Sequence, residues 1–219
     1  MSRRIIKWIV GAAVVAALCY AFPLFRVRTL QQRTVQASAE PTPSTLSVAD
    51  HAGRFFSTLL PKATDQATPV ETLLTEAASD PGATRERFGR QVGLGGTIYF
   101  FVRGSGRVEE IADRRVRLQI DGRPEAVLLQ TGLIVGNAAR DATGLIDVSQ
   151  FASSRDYNNL AEELNRKIET DVIQPVRDAL QVGATVRFVG CVELREDVPF
   201  DPLHVTPILL EVEPSGSSL

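Results

Sequence analysis

The chain has 219 residues and a mass of 23.8 kDa, room for one ordinary domain with an appendage but not for two large domains. Its formal charge is −2, and from Thr97 onward 13 Lys and Arg stand against 19 Asp and Glu, so the folded part should repel nucleic acid. Cys19 lies in an apolar N-terminal run and Cys191 stands alone in the remainder, which excludes a disulfide within the soluble part.

Residues 5–25, IIKWIVGAAVVAALCYAFPLF, are apolar except for Lys7 and long enough to cross a bilayer core as a helix. Trp8 near one end and Tyr20, Phe22 and Phe25 near the other suit the two interfaces. An uncleaved anchor is favoured over a cleavable signal, because small residues at a cut site are missing and Leu18 stands where a lipoprotein signal wants a small residue before Cys19. Arg3, Arg4 and Lys7 on one side and Arg26, Arg28 and Arg33 on the other give no net orientation. The segment 1–30 is therefore read as membrane anchor or signal. Residues 31–47, rich in Gln, Thr, Ser and Pro, are read as a flexible linker, and 214–219 as a tail.

Residues 48–92 form a helical entry region. Val48, Phe55, Phe56, Leu59 and Leu60 share a helical face that Pro61 should end. A second helix is expected over 68–78, with Thr68 as cap and Pro69 in first position, and a third over 83–88 after the turn Ser79-Asp80-Pro81-Gly82. A β domain should then fill 93–213. Ile98, Phe100 and Val102 alternate with Tyr99, Phe101 and Arg103 in a long first strand that Gly104 and Gly106 should bend or bulge. Arg115–Ile120 alternates cleanly, and Asp121-Gly122 turns it into a strand at Glu125–Gln130. After a glycine-punctuated stretch, Leu160, Leu164, Ile168, Val172, Val176 and Leu180 mark the longest helix, kinked at Pro175, before strands at Thr185–Leu194 and Val205–Val212. Three strands, a helix and two strands predict a mostly β fold with α elements, an OB-like five-stranded barrel carrying an insertion; another α+β sheet has the same element order.

Chemistry is sparse. His51 and His204 read as surface histidines, no serine elbow or cysteine accompanies them, and no Cys/His spacing indicates a metal or cofactor. Binding is expected rather than catalysis. Asn137, Arg140, Asp141 and Asp147 crowd into the loop over 136–147, where Arg140 either takes an anionic or hydroxylated ligand or pairs internally with Asp141 to fix the loop. Tyr99 and Phe101 either stack a sugar ring or base or pack beneath the N-terminal helices. A glycan-acting enzyme is a third reading, with Asp141 and Asp147 as a candidate carboxylate pair, although two such acids are expected by chance in an acidic domain.

DPGATRERFGRQ, YFFVRGSGRV, LQTGLIVGNAARDATGLIDVSQF, AEELN and VTPILLEV follow one another in this order. Across about residues 50–213 the chain thereby resembles the predicted periplasmic lipoproteins of domain-of-unknown-function family 2291. The resemblance implies a soluble domain held on the periplasmic face of the inner membrane, in a setting often shared with sugar ABC transporters. An accessory or binding module of such a system is the leading expectation, with an envelope structural or assembly factor as the alternative.

Overall fold

The computed structural model describes residues 46–93 and 95–213. The expected anchor, most of the linker and the tail lie outside the described residues. Among the described residues no helix is long and apolar enough to cross a membrane.

Helix α1 (Val48–Arg54) is capped by Ser47 in a reciprocal capping box with Asp50. Pro61 does not stop the helical path. A wide turn, Phe55–Leu59, passes into a tight one, Leu60–Lys62, and Pro61 falls in the first positions of that tight turn, where no N–H is needed. Thr68 is not a cap: Thr68–Pro69 form a short strand β1, parallel to residues 102–103, and α2 (Val70–Ser79) starts after it with no side-chain cap. Helix α3 (Pro81–Phe88) begins earlier than expected because the Asp80 carboxylate accepts from the N–H groups of Gly82 and Ala83, each at 3.0 Å.

Strand β2 (Arg90–Gln91) leads into β3 (Thr97–Ala112), β4 (Arg115–Gln119) and β5 (Ala126–Gln130). The turn at Asp121-Gly122 is present, with Gly122 at φ +71 and the Arg123 N–H donating to the Ile120 carbonyl. A short helix α4 (Ala138–Asp141) and a single turn, Val148–Gln150, precede α5 (Ser154–Lys167). Past α5 the helical path widens at Ile168–Ile173 and tightens at Gln174–Ala179, where Pro175 again occupies a first position. Strands β6 (Thr185–Arg195) and β7 (Leu203–Glu213) complete the chain.

Strands β3, β4, β5, β7 and β6 are paired in that order, and β6 returns to β3, so the five long strands close in a ring. All pairings in the ring are antiparallel except β5 with β7. The β3–β6 register runs unbroken from Thr97↔Arg195 to Arg107↔Thr185, so Gly104 and Gly106 make no bulge there; the irregularity falls between Val108 and Glu110, against β4. Gly104 serves close packing instead. A Cβ there would lie 2.4 Å from Val70 Cγ1 and 3.0 Å from Phe188 Cζ, so only glycine lets α2 settle onto the ring.

Over residues 99–102 strand β3 is buried on both faces. Phe100 and Val102 join Leu118, Leu129, Phe188 and Val205 in one core, which Leu73 and Leu74 of α2 also enter. Tyr99 and Phe101 join Cys191 and Ile208 in a second core with Phe55, Leu160, Leu164 and Ile168. This second layer holds the loop between β5 and α5 in place.

Candidate functional site

The loop from Thr131 to Phe151 is anchored by the two adjacent residues of α4 that combine opposite charges. Arg140 Nε and Nη2 donate to Asp141 Oδ1 and Oδ2 at 2.7 and 2.8 Å, a two-pronged pair whose side chains are 7% and 2% exposed. Arg140 Nη1 donates to the Tyr157 carbonyl and to Asn158 Oδ1, and the Tyr157 hydroxyl donates to Asp141 at 3.0 Å. The guanidinium also lies 4.1 Å from the centre of the Tyr157 ring. Phe151 packs edge-on against Tyr157 and stacks at a tilt on His51, so α1, the loop and α5 meet in one cluster in which His51 is buried and the other two rings are half-buried.

The electrostatics follow from this burial. Desolvation alone would lower the Arg140 pKa, but the hydrogen bonds and charge of Asp141 outweigh it and the net direction is upward. Burial raises the Tyr157 pKa, and Asp141 adds to the rise. Tyr99 is pushed up to about 12 by burial first and then by the negative fields of Glu193 and Asp141, with Arg140 and Asn137 offsetting part of the effect. Both tyrosines are thus held neutral.

Above the anchor lies a groove of about 720 Å³ between residues 133–137 and the outer face of α5. Its walls include Leu133, Val135, Asn137, Asn158, Asn165 and Glu169. Two hydrogen bonds join the walls: the Ile134 N–H donates to Glu169 Oε1 at 2.7 Å, and Asn165 Nδ2 donates to the Gly136 carbonyl at 3.0 Å. Gly136, at φ +97, then turns the chain into α4, a conformation that glycine adopts readily. Ile134 is buried, whereas Leu133 and Val135 are 69% and 67% exposed. A second depression of about 530 Å³ at the β3–β4 hairpin interleaves Arg114, Arg115 and Arg117 with Glu110 and Asp113, which cancels most of its cationic character.

The expected site residues are thereby separated. Asn137 lines the groove, while Arg140 and Asp141 lie buried and bonded chiefly to each other and to α5. Asp147 is exposed and caps the turn over 148–150 by accepting from the Ser149 N–H at 2.9 Å, which holds its carboxyl below the usual carboxylate range. Tyr99 and Phe101 are only 5% and 9% exposed, so they offer no open stacking face; the helices cover them. His51, expected at the surface, is buried against Phe151, while His204 is exposed. Burial pushes the Cys191 thiol upward. Among the described residues no group of three His, Cys, Asp or Glu could hold a metal ion. Sequence reasoning overlooked the polar stripe of α5 and the turn after it. Asn158, Glu162, Asn165 and Glu169 recur at helical intervals opposite the apolar Leu160 and Leu164, a legible sign of a second, polar working face.

The profile of a family described as predicted periplasmic lipoprotein (DUF2291) matches residues 12–211. The crystal structure of an OB-fold protein from Thermotoga maritima covers 78% of this chain and 100% of its own, with 23% identity and a TM-score of 0.67. At that identity the likeness establishes the fold. Among curated proteins none matches the chain.

Proposed function

The chain belongs to the family of predicted periplasmic lipoproteins (DUF2291), and from that premise we propose that it is a non-enzymatic binding or accessory module held at the periplasmic face of the inner membrane by its N-terminal segment. Its task in this reading is to contact a protein component of a sugar-type ABC transport system. The observation that carries the proposal is the groove beside the anchored loop, where Leu133 and Val135 stand exposed next to amide and carboxylate groups of α5 and its continuation. Exposed aliphatic groups rimmed by polar ones mark protein contacts. A sugar ring would call for an aromatic platform, and the groove is lined by no aromatic side chain.

The test is affinity purification of the full chain from solubilised membranes, read by mass spectrometry, with calorimetry against simple sugars. Recovery of a transporter's binding protein or permease, lost with Leu133→Asp and Val135→Asp together, is the expected result. Recovery of no transport component overturns the proposal, and a heat of sugar binding would contradict the choice of a protein contact. Recovery of other exported proteins instead supports an envelope assembly role.

A further inference from the structure

The wall of the groove has a feature that binding through side chains alone does not use. Along residues 133–135 exposure runs exposed, buried, exposed, the alternation of an extended chain. Within this stretch the Ile134 N–H donates to Glu169, and just beyond it, where the chain turns at φ +97, the Gly136 carbonyl accepts from Asn165. In an extended chain the N–H and C=O of one residue point to the same side and those of its neighbours to the other. Glu169 therefore stands in for a neighbouring strand on one edge, supplying the acceptor at Ile134, and Asn165 pins the chain where it turns away. By that alternation the N–H and C=O groups of Leu133 and Val135 belong to the opposite edge, and among the described residues none of them has a hydrogen-bond partner.

Such an edge, with aliphatic side chains at alternate positions, is complementary to one kind of occupant. Only another extended polypeptide offers donors and acceptors at the matching repeat together with side chains that pair across the strands. Charge narrows the choice. Glu162 lines the groove and Glu193 Oε2 approaches Gly136, both exposed and without an ion-pair partner among the described residues, whereas the nearby Arg166 is taken by Glu163. We propose that residues 133–135 form a strand-addition site that takes an extended segment of a partner protein, with aliphatic residues at alternate positions and Lys or Arg beside them. This rests on the binding-module reading above and names how the partner is held.

The probe is a library of short random peptides displayed on phage and selected on the full chain in detergent micelles. The expected winners carry aliphatic residues at every second position with a basic flank. N-methylation of their alternate amides, which leaves the protein untouched, should weaken binding by about tenfold or more. Val135→Pro, which removes a donor from the open edge, should do the same while the thermal midpoint of the free protein is kept. If the winners are lost with Leu133→Asp but indifferent to N-methylation and to Val135→Pro, the binding module stands and strand addition is refuted. If no peptide is enriched, or enriched peptides ignore all of these changes, the site itself fails.

Discussion

Replacing Arg140 by alanine would remove the guanidinium that gives Asp141 two of its three side-chain hydrogen bonds, leaving a carboxylate whose side chain is 2% exposed with only the Tyr157 hydroxyl. Breaking a buried pair from one side costs about 3–5 kcal/mol, because the remaining charge stays desolvated. For a domain of this size that lowers Tm by roughly 6–20 °C. Exchanging both partners for apolar residues, as in Arg140→Met with Asp141→Leu, removes the stranded charge and should cost less than Arg140→Ala alone. The assay is urea and thermal unfolding followed by circular dichroism on the full chain and both variants. A loss below about 1 kcal/mol for Arg140→Ala, the scale of an exposed pair, would refute the structural role. Arg140 would then have to be regarded again as a ligand group.

Three further outcomes follow from the same geometry. Gly104→Ala places a Cβ 2.4 Å from Val70 Cγ1 and should destabilise by about 1–3 kcal/mol in urea titrations, with partial recovery when Val70→Ala is added. Because the Tyr99 pKa is raised to about 12 from 10.0, the folded state keeps the proton longer than the unfolded one. Its contribution, at most about 3 kcal/mol, is therefore full below pH 10 and lost as pH rises through 12; Tyr99→Phe should flatten that alkaline slope in unfolding measurements. Leu133→Asp and Val135→Asp, at positions 69% and 67% exposed, should leave stability within about 0.5 kcal/mol of the parent by calorimetry while abolishing partner capture.

Much of the ring could be read in one dimension. Val116 and Leu118 face the core and Arg115 and Arg117 do not, as their alternation implies, and Asp121-Gly122 turns the chain where expected. Leu160, Leu164 and Ile168 likewise bury the stripe that their spacing announces. What stayed hidden depends on partners distant in sequence. Tyr99 and Phe101 read equally well as a stacking face or as residues packed beneath helices, and only the placement of α1 and α5 over them decides for packing. Thr68 has the chemistry of a cap, yet pairing with Val102 claims its backbone. In the site, crowding within the loop singles out Asn137, Arg140 and Asp141, but the bonds that shape the groove join Ile134 to Glu169 and Gly136 to Asn165, separations of 35 and 29 residues. Local pattern has no access to such pairs. Pro61 and Pro175 read as breakers because proline removes a donor, whereas each sits where a tight turn begins and needs none.

The most direct test of the central claim, that the wall of this groove is where a partner docks, is photo-crosslinking in intact cells. A benzophenone amino acid would replace Val135 in the full chain and, as control, the comparably exposed Val182. Protein adducts that form from position 135, are absent from 182 and vanish with Leu133→Asp are the predicted result. Adducts equal at both positions, or found only from 182, would contradict it.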